Sequence, residues 1–412
     1  MSRSPPVLIV GGGATGTGIA RDLALRGVDV ALAERNGLSS GASGRSHGLL
    51  HSGARYAEAD RAGARACLRE NRLLRSIAGE CLRETGGLFV QLPEDDAGYF
   101  DEKRAACEAV GIETTVLDGA EARDSVAGLS ADVERAMRVP DGVVRPSRLC
   151  AANAASAERN GATIYPHAPL EDLTVDDGRV TTATLGGTVS DTRDVEFVVN
   201  AAGPWAGQVA ELAGVTLDMA LTRGVMVAVE HSDLGPVLNR CRSPDDGDIV
   251  VPHAREAVLG TTSVPVADPD EYERAAWEVE RSIEECAAML PPVADAPVVR
   301  TWWGVRPLYE SGAAEGEERG ISRDFFTLDH AADGVDGLVS VVGGKLTTYR
   351  RMAEATANLV CERLGVTVDC STAERALYAA DDADRLDELV ATYDSSGPAD
   401  ADVVVDSERD RS

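Results

Sequence analysis

A chain of 412 residues, 44% of them apolar, is long enough for two domains with real cores, which excludes fibrous and wholly disordered classes. Its formal charge of −29 argues against nucleic acid or anionic lipid as a partner. Of the 40 basic residues only Lys103 and Lys345 are lysines, a usage suited to concentrated salt, where the Debye length shrinks to ~3 Å at 1 M and self-repulsion is screened.

The first apolar run, residues 7–10, is too brief for a signal-peptide core, and no stretch approaches a membrane span. A cytoplasmic location is expected, with any peripheral association to the inner face of a membrane made through a partner. Residues 7–10 (Val-Leu-Ile-Val) read as a buried parallel strand. Gly11-Gly-Gly-Ala-Thr-Gly16 follows, then a helix over about 14–26, a stop at Gly27 and a second strand over 28–33 that ends at Glu34. A long helix is predicted over 61–84, a buried strand over 195–201 and an amphipathic core helix within 268–290. A strand over 337–342 runs through Gly343-Gly-Lys-Leu-Thr-Thr348 into a helix ending near 364. A terminal helix is expected over about 373–393, then an acidic disordered tail over 395–412. The eight cysteines lie singly, without a Cys-x-x-Cys pair, and of the six histidines only His47 and His51 are close, so no metal site is expected.

Gly11, Gly13 and Gly16 occupy the three glycine positions of G-x-G-x-x-G. The first permits the tight turn, the second lets a pyrophosphate approach the backbone, and the third packs helix on strand. The phosphates would lie on amides of the turn, including those of Gly12, Ala14 and Thr15, helped by the helix dipole. Glu34 stands where a carboxylate accepts ribose hydroxyls and repels a ribose phosphate, and Arg35 follows it. The glycines alone do not choose between NAD and FAD. A second small-residue loop, Ser39-Ser-Gly-Ala-Ser-Gly-Arg-Ser46, favours FAD, with Ser43, Gly44, Arg45 and Ser46 beside the pyrophosphate and ribityl chain.

The run Gly41-Ala-Ser-Gly-Arg-Ser-His-Gly-Leu-Leu-His-Ser-Gly-Ala-Arg-Tyr56 resembles the flavin loop of FAD-dependent glycerol-3-phosphate dehydrogenases, in particular the large subunit of the anaerobic type. Asn239-Arg-Cys-Arg242 with Pro244 and Asp248-Ile-Val-Val-Pro252, Gly304-Val-Arg-Pro307, and Gly343-Gly-Lys-Leu-Thr-Thr-Tyr-Arg350 are similar to later stretches of that family. The resemblance spans roughly 5–370. It implies an α/β fold: a Rossmann-like, glutathione-reductase-like FAD-binding domain of the D-amino-acid-oxidase type, with an inserted mixed β-sheet substrate domain. The expected division is 1–90, 145–215 and 320–370 for FAD, 91–144 and 216–319 for substrate, and 371–394 for the terminal helix.

The implied reaction is oxidation of sn-glycerol 3-phosphate to dihydroxyacetone phosphate, with hydride passing to flavin N5 and a base taking the hydroxyl proton. Arg55, Arg306 and Arg323 are the expected phosphate clamp. Lys345, a compact cation at a strand-to-helix turn, is expected beside the flavin or substrate oxygen. His51 is the candidate base, Tyr56 its hydrogen-bonding neighbour, and His47 a residue that orients the loop. Ala201 and Gly203 on one strand end, and Gly344, Leu346 and Thr347 on another, are further expected cofactor contacts. FAD is expected to be held without a covalent bond. Family members typically continue into a cysteine-rich region absent from this sequence, so electrons are expected to leave to a quinone, to a partner subunit, or from the flavin directly. Two other readings stay open: another flavin oxidoreductase of the same fold, acting on a 2-hydroxy acid or an amino acid, and a non-catalytic flavoprotein subunit.

Overall fold

The computed structural model describes residues 7–232, 234–309 and 324–397. The strand Val7–Val10, apolar and mostly β-branched, lies in the middle of a six-stranded sheet. Val30–Ala33 and then Thr163–Tyr165 extend it on one side, Phe197–Asn200 and then Leu338–Gly343 on the other, all parallel. Phe325–Asp329 closes the second edge antiparallel. Every residue of the four inner strands is buried, as a sheet covered on both faces requires. One cover is helical: Ala14–Leu25 packs against Pro146–Glu158 and Tyr349–Leu364, and the many Ala and Gly side chains on the first two bring their axes close. The other cover is a three-stranded antiparallel sheet, Leu170–Asp176, Arg179–Leu185 and Asp191–Asp194, with the short helix Ala206–Glu211.

The second domain is a mixed sheet of nine strands built around the long antiparallel pair Met219–Glu230 and Val298–Tyr309. Helix Ala276–Met289 covers one face. The strand Gly87–Gln91 runs parallel to Val237–Arg240 within this sheet, so the chain has already crossed into the second domain before residue 90.

Three helices are shorter than their apolar stripes suggest. The helix expected over 61–84 spans Arg61–Ile77, because Gly79 turns left-handed at φ +39° and Cys81 leads into the short strand Leu82–Arg83. The helix within 268–290 begins only at Ala276, since the Asp268 carboxylate accepts the Asp270 and Glu271 N–H groups and holds a turn ahead of it. The terminal helix spans Ala383–Thr392. Ala379 lies at φ +59°, and the Asp382 side chain caps the true start by accepting the Arg385 N–H. This helix docks on Pro146–Glu158 through a two-pronged pair from Arg148 to Asp387 at 2.7 and 2.8 Å. Most of the expected tail, 398–412, lies outside the described residues. None of the described helices is long and apolar enough to cross a membrane.

Candidate functional site

A cleft of about 1220 Å³ runs from the carboxyl ends of the parallel strands to the second sheet. That exceeds the ~300–1,000 Å³ of ordinary small-molecule sites, as an extended dinucleotide requires. Its first end is the glycine turn. Gly11 sits at φ +112°, and a Cβ there would strike the Ala201 carbonyl; a Cβ on Gly16 would overlap the Gly11 carbonyl oxygen. The backbone is therefore as close to its neighbours as glycine allows, leaving a floor of main-chain amides at the start of Ala14–Leu25. That helix has a glycine N-cap with no side-chain cap of its own, and its Ala14 N–H donates instead to the Ser43 hydroxyl at 2.9 Å. The amide end is thus already suited to oxygen acceptors.

Glu34 ends the second strand. Its carboxylate accepts the Gly12 N–H at 2.7 Å and the Asn36 N–H at 2.9 Å, which fixes it at the cleft wall. Gly11, Gly13, Ala14, Thr15 and Ala201 line the same wall, with Gly203 at the strand end. Gly12, Gly16, Gly44 and Thr347 do not line the cleft: they sit behind it as packing and hydrogen-bonding supports. Thr347, fully buried, accepts the His51 N–H at 3.0 Å and so ties the lysine loop to the histidine.

Two residues of the cleft wall that are expected cofactor contacts, Arg35 and Arg45, also tie the two domains together. The Arg35 guanidinium stacks over Trp205 at 4.1 Å and pairs with Asp270 at 2.9 Å, while Trp205 Nε1 donates to the same carboxylate at 2.7 Å. Arg35 is thereby held at the rim by groups from both domains. Arg45 Nη1 donates to the Trp303 carbonyl at 2.9 Å and the Arg45 carbonyl accepts from Trp302 Nε1 at 3.2 Å, so Arg45 fastens the flavin-type loop to the second sheet. Ser46 donates to the Ser43 carbonyl at 2.9 Å and shapes that loop from within.

The far end of the cleft brings together His51, Arg55, Tyr56, Arg306 and Lys345, with Gly344 and Leu346 on the adjoining turn. His51 Nε2 and the Tyr56 hydroxyl are 3.2 Å apart, and Lys345 Nζ lies 4.6 Å over the Tyr56 ring. Lys345 holds its place because the following helix, Tyr349–Leu364, is anchored by Arg350, whose buried fork grips Glu70 at 2.7 Å twice. Arg306 projects from Val298–Tyr309. Its fork is aimed by the Thr262 carbonyl at 2.9 Å, Thr261 Oγ1 at 3.2 Å and the Arg223 carbonyl at 3.4 Å. Behind it, fully buried Glu278 accepts from Arg223, Thr262 and Trp303, locking the strands that carry those acceptors. Arg55 is committed differently: it meets buried Asp248 at 2.7 Å. Burial pulls its pKa down, but Asp248 and Tyr56 together outweigh that and the guanidinium is held above its usual range. Arg323 lies outside the described residues.

Sequence reasoning missed the partners rather than the lining. Asp248 stands in a motif already singled out, while Asp270, Glu278 and the Thr261–Thr262 pair carry no local signal. Among the described residues no group of His, Cys, Asp and Glu is placed to hold a metal ion. Burial pushes the thiols up, to about 11 at Cys67 and about 12 at Cys81 and Cys150, so these are packing residues.

Residues 6–350 match the family described as DAO, FAD dependent oxidoreductase. The chain is 47% identical over 396 residues to the A1 subunit of anaerobic glycerol-3-phosphate dehydrogenase from Haloferax volcanii, covering 93% of this chain and 68% of that protein. It is 42% identical over 384 residues to the A subunit of the enzyme of that name from Escherichia coli K12, covering 91% and 70%. Among solved structures, glycine oxidase from Geobacillus kaustophilus shares the fold with a TM-score of 0.73 at 23% identity, over 91% of this chain and 99% of that one. The chain belongs to the family of FAD-dependent oxidoreductases and, within it, to the A subunits of anaerobic glycerol-3-phosphate dehydrogenases.

Proposed function

We propose that this protein oxidises sn-glycerol 3-phosphate to dihydroxyacetone phosphate with FAD, the six-stranded domain holding the nucleotide and the nine-stranded domain closing over the substrate. The observation that carries the reading is one cleft with two chemically distinct ends. Small-residue amides and a ribose-accepting Glu34 stand at the first, and Arg306, His51 and Lys345 at the second. FAD, bound along the first, supplies the acceptor for two electrons and the C2 hydrogen.

The chain's own residues do the rest. Arg306, its fork aimed by Thr261, Thr262 and Arg223, receives the phosphate oxygens. Arg55 adds shape more than charge, because Asp248 already balances it. His51 takes the C2 hydroxyl proton, oriented by Thr347 on its backbone and Tyr56 at Nε2. Lys345 keeps a positive charge beside that pair, where it stabilises negative charge arriving with the electrons.

The relatives are named as one lettered component of a larger enzyme, which supports handing the electrons to a partner subunit or, through it, to a quinone. The two lysines among 412 residues and the charge of −29 support work in molar salt in the cytoplasm. Steady-state turnover in molar salt with an artificial dye acceptor tests the assignment, comparing sn-glycerol 3-phosphate with D-alanine, sarcosine and 2-hydroxyglutarate. Turnover only with the phosphate ester supports it; turnover with one of the others instead defeats it.

A further inference from the structure

We propose that Lys103 is a positioning residue that braces the catalytic turn from the side opposite Lys345. The turn is the 3-10 segment Ala54–Tyr56, which carries Arg55 and Tyr56. Only two of the chain's 40 basic residues are lysines, and both address this one turn. Lys345 Nζ lies 4.6 Å over the Tyr56 ring on the cleft side. Lys103, only 1% exposed on helix Ala97–Val110, reaches it from behind: Nζ donates to the Ala54 carbonyl at 3.1 Å and pairs with Glu58 Oε1 at 2.6 Å.

The burial explains why a lysine stands there. Its ammonium sits 5.0 Å from the Phe89 ring and 5.3 Å from the Tyr99 ring, a compact cation between two aromatic faces. The Tyr99 hydroxyl donates to the same Glu58 carboxylate. Glu58 Oε2 is buried without a hydrogen-bond partner, so the ion pair with Lys103 and the Tyr99 hydroxyl, both at Oε1, are what hold this partly buried carboxylate. Ala54 and Glu58 bracket Tyr56 in sequence. Fixing both ends from the second domain sets where the Tyr56 ring stands between His51 Nε2 and Lys345 Nζ. Arg55 has a separate anchor in Asp248. Loss of Lys103 therefore moves Tyr56 while leaving the phosphate clamp on Arg306 in place, and the effect falls on the chemical step more than on substrate binding.

The inference rests on the proposed reaction, and the test separates the two. FAD content, Tm, kcat and KM for sn-glycerol 3-phosphate are measured on the wild-type holoenzyme, on Lys103→Met, on Lys103→Met with Glu58→Gln, and on Val110→Ala, two turns further along the same helix. Lys103→Met is expected to keep FAD, to lose kcat roughly 10- to 100-fold, and to hold KM within about threefold. The double variant, which no longer leaves a partly buried carboxylate without its cation, is expected to regain Tm but not kcat. Val110→Ala is expected to lose Tm with kcat within about twofold of wild type. An unchanged kcat in Lys103→Met, or a kcat that returns together with Tm in the double variant, overturns the proposal. If Lys103→Met does not fold, Glu58→Gln alone carries the test by the same split, and a wild-type kcat there overturns it. A wild-type enzyme that ignores sn-glycerol 3-phosphate refutes the substrate instead, and the variants are then read on whichever compound reduces the flavin.

Discussion

Replacing Arg306 by Ala removes the guanidinium whose fork is fixed by the Thr262 carbonyl, Thr261 Oγ1 and the Arg223 carbonyl. Those contacts hold the guanidinium on the cleft wall. A hydrogen bond to a charged group contributes about 1.5–3 kcal/mol, so losing this clamp corresponds to roughly a 10- to 100-fold rise in KM. The reacting C2 is faced by His51 and the phosphate on C3 by Arg306, so kcat should change by less than about tenfold. Arg306→Lys should recover little, because one ammonium cannot hold the Thr261–Thr262 corner and a dianion together. The assay is steady-state dye reduction across a substrate series in molar salt, with flavin content checked for each variant. A KM for Arg306→Ala within about twofold of wild type, or full recovery by Arg306→Lys, refutes the reasoning.

Lys345→Met should keep FAD largely bound, since the nucleotide's main anchors are the glycine turn and Glu34, yet cut turnover; a wild-type rate would remove Lys345 from the chemistry. Gly16→Ala places a methyl on the Gly11 carbonyl and should yield protein that purifies without flavin; a normal flavin-to-protein ratio would contradict this packing. His253 is enclosed, and burial lowers its pKa from 6.5 despite the His47 carbonyl 2.9 Å from Nε2, which favours the protonated ring. Because its folded value lies below its unfolded one, stability should fall as pH drops from about 6.5 through that lowered value. Wild type should therefore lose Tm relative to His253→Gln between about pH 7.5 and 5, and parallel curves would show that the ring does not titrate on unfolding.

What was legible from sequence is what neighbours dictate. Val7–Val10, the glycine turn, the helix from Ala14 and the strand ending at Glu34 form one continuous unit in which each residue type answers a local steric or hydrogen-bonding demand. The arginine and lysine motifs were legible as positions on the cleft wall for the same reason: glycines beside them mark close approach. Partners across the domain boundary were not. Nothing near Arg35 in sequence announces Asp270 and Trp205, 235 and 170 positions away, and nothing near Arg55 announces Asp248. Arg45 lines the cleft as its loop suggests, but its hydrogen bond to the Trp303 carbonyl, 258 positions away, carries no local signal. Helix ends failed where a single left-handed residue, Gly79 or Ala379, cuts an apolar stripe that would otherwise run on. Such breaks depend on tertiary contacts, such as the Glu80 N–H bonded to the Ala380 carbonyl, that no stretch of sequence contains.

The central claim is that FAD lies in this cleft with its reactive ring at the end where Arg306, His51 and Lys345 meet, and that sn-glycerol 3-phosphate is what reduces it there. Anaerobic titration of the purified protein in molar salt, read by flavin absorbance, tests this directly. The account predicts a yellow protein whose absorbance bleaches with about one equivalent of sn-glycerol 3-phosphate per flavin, matching the two-electron chemistry. A colourless protein that does not take up FAD, or a bound flavin that sn-glycerol 3-phosphate leaves oxidised, would contradict it.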